Sequence, residues 1–336
     1  MEFLAEYGLF LAKSVTFIVV VAVVIGLIAS AGQKTKPKKI NIEHLNDRYA
    51  ELKKHLQEAV LTKKELKKRA KQAKADTKKD ADLVKEKVYV LNFNGDIKAA
   101  QSEQMKDEIS ALLSLDDSIA EIVVKVESGG GMVHQYGFAA SQLERIKQKG
   151  IPLTVCVDKV AASGGYMMAV VADKIIAAPF AVLGSIGVIA QLPNFSRLLK
   201  KNDIDFEVHT AGEYKRTLTV FGENTDKARE KFREDLADVH VLFKDFVGER
   251  RTSVDVDKVA NGDVWYGQKA LEVNLVDEIK TSDEYLQERC NTADVYLLSS
   301  EKKKSVFERL GMAAQSGVGK GIEAAFQKMA FQKWFV

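Results

Sequence analysis

Short apolar runs that alternate with helix-periodic stretches are what most constrain the fold of this chain. Val88–Phe93, Glu121–Val126, Leu153–Val157 and Lys174–Ala178 read as strands, and Gln104–Leu115 and Val133–Gln148 between them carry helical periodicity. Strand, helix and strand in this repeated order predict an α/β domain with parallel strands. The punctuation agrees: Asn94-Gly95-Asp96 closes the first strand, Gly150 ends the second helix and Pro179 follows the fourth strand. Further on come a tight loop, Gly184-Ser185-Ile186-Gly187-Val188, and a strand-like Phe206–His209 leading into Ala211–Arg216. Thr225–Arg250 is long, charged and amphipathic, and Gly267–Ile279 reads as a helix turning into a final strand.

In such a fold, loops at the C-terminal ends of parallel strands build the sites. Two of them carry glycines: Glu127-Ser128-Gly129-Gly130-Gly131 and Ala161-Ala162-Ser163-Gly164-Gly165-Tyr166. A serine at a strand-to-helix passage suits a nucleophile. The turn presents its hydroxyl, the glycines let a carbonyl approach the backbone, and the free N–H groups of a helix start can hold an oxyanion. The plain alternative is a tight turn into a buried helix, Tyr166–Ala172. Ser163 would need a base, and no His or Asp motif announces a Ser-His-Asp triad. His134 can fold near the glycine loop, although a lone His there more often serves as a hydrogen-bonded surface or core residue. A neutral lysine, its pKa lowered by burial, can serve instead; composition does not single one out.

Val15–Ala31 is a nearly unbroken apolar run, and Tyr7–Ala12 before it is apolar as well. A membrane span takes about 20 apolar residues, so a helix over about 8–31 is expected as an uncleaved anchor, with Lys13 snorkelling. A cleaved signal peptide would have a basic start and a shorter apolar core; here the start carries Glu2 and Glu6. Residues 34–87 then hold 18 Lys/Arg against 9 Asp/Glu. The basicity of the chain therefore belongs to an arm, and the arm has no reader motif or aromatic platform for nucleic acid. By the positive-inside rule, Lys34, Lys36, Lys38 and Lys39 place the C-terminal side in the cytoplasm. Within the arm, Ile42, Leu45, Tyr49, Leu52, Leu56, Ala59, Lys63, Leu66, Ala70 and Ala73 follow three-four spacing, a seam interrupted once, by Lys63. They predict a helix of roughly 50 Å with a seam for self-association. Residues 306–336 have helical apolar spacing and an aromatic end. Cys156 reads as a small core residue, two cysteines make no disulfide framework, and neither cysteines nor histidines have metal spacing. No metal and no cofactor are expected.

Ala-Ala-Ser-Gly-Gly-Tyr-Met, then Gly-Ser-Ile-Gly-Val, then Gly-Glu-Tyr-Lys-Arg, in this order and at these separations, resemble the signal peptide peptidase A family of membrane serine peptidases. The resemblance covers residues 88–290. It implies a Clp-protease/crotonase-like α/β domain with parallel strands, preceded by a single transmembrane helix and a long basic helical arm. The implied domains are an anchor (1–33), the arm and linker (34–87), a serine peptidase domain (88–290) and a helical tail (291–336). It also implies an endopeptidase acting on peptides with apolar or signal-peptide-like segments, in homo-oligomeric rings attached to the bacterial inner membrane, with the catalytic domain outside the cytoplasm, against the charge rule. Residue by residue, it implies Ser163 as nucleophile, Lys215 as general base and Ser185 as the serine orienting that lysine. The N–H groups of Gly130 and Gly164 are the implied oxyanion hole. The chain departs from the family's usual Asn-Ser-Pro-Gly-Gly at Gly129, where glycine loosens what proline would stiffen. Two other readings stay open: an acyl-thioester enzyme on the related crotonase-like fold, and a non-catalytic membrane scaffold.

Overall fold

The computed structural model describes residues 7–11, 13–17, 40–69, 85–115 and 118–300. Residues 7–11 and 13–17 are helical. Among the described residues no helix is long and apolar enough to cross a membrane; most of the expected span, and the whole of 306–336, lie outside them.

Residues 41–299 form one compact unit. In chain order its elements are β1 (Ile40–His44), α1 (Leu45–Val60), β2 (Glu86–Gly95), α2 (Ser102–Leu113), β3 (Glu121–Ser128), α3 (Val133–Gln148), β4 (Leu153–Val157) and β5 (Val160–Ala162). There follow α4 (Gly164–Ala169), β6 (Lys174–Ala177), β7 (Val182–Gly184), α5 (Ser196–Lys201), α6 (Asp226–Arg250), α7 (Val256–Val259), β8 (Val264–Tyr266), α8 (Gly267–Glu272), β9 (Glu278–Ile279), α9 (Ser282–Thr292) and β10 (Ala293–Ser300). The alternation expected from the sequence is therefore present, with the helix after Ser163 starting at Gly164. Phe206–His209, expected as a strand, runs as exposed chain without a ladder partner.

The main sheet has the order β1-β10-β2-β3-β4-β6-β9, and a branch, β3-β5-β7-β8, leaves it. The pairings of β10 with β2, β2 with β3, β3 with β4, β4 with β6 and β6 with β9 are parallel, as are β3 with β5 and β5 with β7. Only β7 with β8 is antiparallel among these. The central strands are buried along nearly their whole length, as parallel strands covered on both faces must be: Ile122–Val124 and Leu153, Val155, Cys156 and Val157 are all core. On one face Val88, Val90, Val123, Cys156 and Ile176 pack with Leu45 of α1 and Leu286 of α9. On the other lie α2, α3 and α4.

Two features extend the domain beyond residues 88–290. β10 lies between β1 and β2, so a segment assigned to the tail is inside the sheet, and β1 comes from the arm. The Asn46 side chain fastens this edge: its amide donates to the carbonyls of Cys290 and Ala293 at 2.9 Å each and accepts the Val295 N–H at 2.9 Å. The arm helix also differs from the continuous rod expected. α1 ends at Val60, Leu61 is extended, and a new helical stretch begins at Lys63. Thr62 and Glu65 form a reciprocal cap there, with the Thr62 N–H donating to Glu65 at 2.9 Å and the Glu65 N–H to Thr62 Oγ1 at 3.4 Å.

Candidate active site

Strand register assembles the site. Ser128 at the end of β3 pairs with Ala161 of β5, and Ala161 pairs with Leu183 of β7. Just past the strand ends, two residues beyond Ser128, Ala161 and Leu183, stand Gly130, Ser163 and Ser185. All three have positive φ, at 89°, 51° and 50°. For the two serines that conformation is strained, and strain held this way by the surrounding structure is a mark of functional turns. The Ser163 N–H donates to the Gly184 carbonyl at 2.8 Å and the Ser185 N–H to that of Asp263 at 2.7 Å, which fixes both turns.

Ser163 is the residue before the first turn of α4, whose opening N–H groups have no intrahelical acceptor. The glycines around it are required by space. A Cβ on Gly164 would lie 2.4 Å from the Tyr136 ring, and one on Gly165 2.5 Å from the Ser128 carbonyl oxygen. A Cβ on Gly130 would lie 2.7 Å from the Gly164 nitrogen and 2.8 Å from Ser163 Cβ, so the glycine loop rests directly on the serine turn. The Gly130 N–H donates to Ser128 Oγ at 3.1 Å. Among the described residues the next amide of the loop, that of Gly131, has no acceptor.

Beneath the loop are two hydroxyls that no motif singled out. Tyr136, on α3 and completely buried, donates to the Asp96 carbonyl at 2.7 Å and lies 2.5 Å from Ser128 Oγ. Ser128, also buried, has the Gly95 carbonyl at 3.2 Å. Burial holds the Tyr136 hydroxyl above its ordinary pKa, so it keeps its proton. The signal for Tyr136 was only an aromatic on the core face of a helix.

Lys215 is placed differently. It is exposed, in a turn closed by its own N–H donating to the Gly212 carbonyl at 3.2 Å. Its neighbours pin that turn to the start of α6: Glu213 pairs with Lys227 at 2.7 Å, and Lys231 lies over the Tyr214 ring at 5.7 Å. Among the described residues no hydrogen bond joins Lys215 to Ser163 or Ser185. His134 is exposed in the first turn of α3. The chain from Ile189 to Phe221 carries a run of exposed apolar side chains, among them Ile189, Leu198, Ile204, Phe206 and Tyr214. Among the described residues no group of His, Cys, Asp and Glu could hold a metal ion.

Residues 145–296 match Peptidase family S49, and residues 2–143 match Peptidase family S49 N-terminal. The chain is 47% identical over 330 residues to "Probable protease SohB" of Haemophilus influenzae, across 94% of each chain. The chain belongs to peptidase family S49. It is a serine-type peptidase by that membership. A second S49 relative, "Probable protease SohB" of Buchnera aphidicola subsp. Schlechtendalia chinensis, is 45% identical over 86% of this chain and all of that one. Among solved structures, a membrane-bound stomatin-specific protease in complex with a substrate peptide is similar at 14% identity and a TM-score of 0.44, over 68% of this chain and 99% of that one.

Proposed function

We propose that this S49 peptidase is a membrane-anchored endopeptidase that cleaves apolar, signal-peptide-like segments through Ser163 and Lys215. The observation that carries the reading is that Gly130, Ser163 and Ser185, each at positive φ, directly follow the ends of three adjacent parallel strands. Ser163 Oγ attacks the peptide carbonyl and passes its proton to the neutral Lys215 amine, which delivers it to the leaving amine. Water then hydrolyses the acyl-enzyme. The Gly164 N–H holds the oxyanion from the helix side. On the loop side the Gly130 N–H is taken by Ser128, so the Gly131 N–H is the donor left free for the same task. Ser185 orients the lysine.

A lysine acts as base only as the neutral amine, which burial favours. Lys215 is exposed in the single chain, so this role needs its turn to be covered. The exposed apolar run between Ile189 and Phe221 supports a homo-oligomer in which a neighbouring copy covers it. The apolar run Val15–Ala31 supports the anchor and attachment to the lipid bilayer of the inner membrane.

A fluorophosphonate probe tests the nucleophile. The detergent-solubilised wild type is expected to label and to cleave peptides, and Ser163→Ala to do neither while remaining folded. Lys215→Arg is expected to be inactive, because a guanidinium stays protonated; near-wild-type turnover by this variant would remove Lys215 as the base.

A further inference from the structure

We infer that Ser128 and Tyr136 act as a coupled pair of positioning residues, setting the oxyanion loop against the nucleophile turn. The inference rests on the reading of Ser163 as the nucleophile. It explains how a loop with glycine at three successive positions holds one conformation. Nothing lies within 4 Å of where a Gly129 side chain would be, so that residue receives no support from packing. The support comes from below: the Gly130 N–H is tied to Ser128 Oγ at 3.1 Å, and Ser128 Oγ to Tyr136 Oη at 2.5 Å.

The proton count closes. Tyr136 gives its hydroxyl proton to the Asp96 carbonyl, and Ser128 gives its own to Tyr136 Oη or to the Gly95 carbonyl. Ser128 Oγ then accepts the Gly130 N–H. Tyr136 is held in turn by the Phe93 ring, edge-on at a centroid distance of 6.2 Å. Its own ring blocks the space above Gly164. One side chain thus sets the height of α4's first turn with its ring and the position of the glycine loop with its hydroxyl. With Gly130 fixed, the following peptide, which carries the Gly131 N–H, is fixed as well. A loop that drifts by about 1 Å misplaces an oxyanion donor and costs on the order of 10²-fold in rate.

The test uses Ser128→Cys, which keeps the volume and loses the good acceptor, and Tyr136→Phe, which keeps the ring, in the full-length solubilised enzyme beside Ser163→Ala. The expected result is a fall in kcat of about 10- to 100-fold in each, with KM within about threefold and an unchanged melting temperature within a few degrees. The double variant should be no slower than the slower single one, because the two hydroxyls act as one unit. A kcat within twofold of wild type in both variants would overturn the inference, and so would a rise in kcat, which would make Ser128 a competitor for the donor. A rate loss that merely follows loss of folded protein in both would reduce the pair to a structural role and overturn it too. Any of these results beside an inactive Ser163→Ala leaves the nucleophile standing; full activity in Ser163→Ala would remove the nucleophile itself.

Discussion

Replacing Gly130 by alanine places a methyl group where the chain has no room for it, while the same change at Gly129 meets open space. At Gly130 the new Cβ would lie 2.7 Å from the Gly164 nitrogen, 2.8 Å from the Ala162 oxygen and 2.8 Å from Ser163 Cβ. Two of these are backbone atoms held in ladders and turns, so they cannot swing aside. Overpacking of this kind costs about 1–3 kcal/mol, and an L-residue at a φ of 89° adds about 1–2 kcal/mol. A total near 3 kcal/mol corresponds to a fall of about 6–12 °C in melting temperature for a domain of this size. The displaced atoms belong to the turn of Ser163, the proposed nucleophile, so peptidase activity should fall by at least about 10²-fold. Gly129→Ala should leave the melting temperature unchanged or slightly higher, since it restricts only the unfolded chain. The assay is thermal unfolding by circular dichroism of the purified full-length protein, with both variants beside wild type. Equal melting temperatures for Gly130→Ala and Gly129→Ala would refute the reasoning.

Arg251, only 7% exposed, donates to both Asp277 carboxylate oxygens at 3.0 and 2.8 Å and to the Asn274 carbonyl at 2.6 Å. Arg251→Ala leaves the Asp277 carboxylate without its cation, held only by the Ile175 N–H at 2.7 Å, and with that carboxylate partly in solvent the loss should be about 2–3 kcal/mol in a urea titration; a change under about 0.5 kcal/mol, typical of an ordinary surface site, would count against it. Burial pushes the Cys156 thiol up to about 12, so iodoacetamide at pH 8 should leave it unmodified in the native protein over a time that labels the urea-unfolded chain; labelling at the unfolded rate would contradict this. Hydrogen bonds from Lys174 and Lys280 hold the Glu278 carboxyl below its ordinary value of 4.5. Its stabilisation is therefore complete above that value and lost as pH falls through the lower folded-state value, so the melting-temperature gap between wild type and Glu278→Gln should narrow between pH 7 and pH 3; a constant gap would show that the charge contributes nothing.

Local chemistry was legible in the sequence, and long-range pairing was not. Ser163-Gly164-Gly165 announced its turn because two bare backbones in succession are needed where Tyr136 and Ser128 press in. The helix starting at Asp226 was legible as a long, charged, amphipathic stretch, and the structure adds its Thr225 cap, whose hydroxyl accepts the Ala228 N–H at 3.2 Å. β1 and β10 were not, because five and eight residues beside charged segments gain strand character only by pairing with chain some 200 to 250 residues away. The arm's interruption was written in Thr62-Lys63-Lys64-Glu65, a capping box that the heptad spacing runs straight through. Lys215 was named from its motif alone, and the structure shows it exposed in its turn, an environment that no spacing of residues encodes.

The clasp at Asn46 has a consequence in time. Its partners are Cys290, Ala293 and Val295, separated from it by 244 to 249 residues. On a ribosome moving at about 5–20 residues per second, Asn46 waits on the order of 12–50 s for them to be made. Until then β2 lacks its neighbour on one side, and β1 has nothing to pair with. The nascent domain therefore carries an open sheet edge almost to the end of its synthesis, and the arm at its beginning is secured by some of the last residues of the sheet to be made.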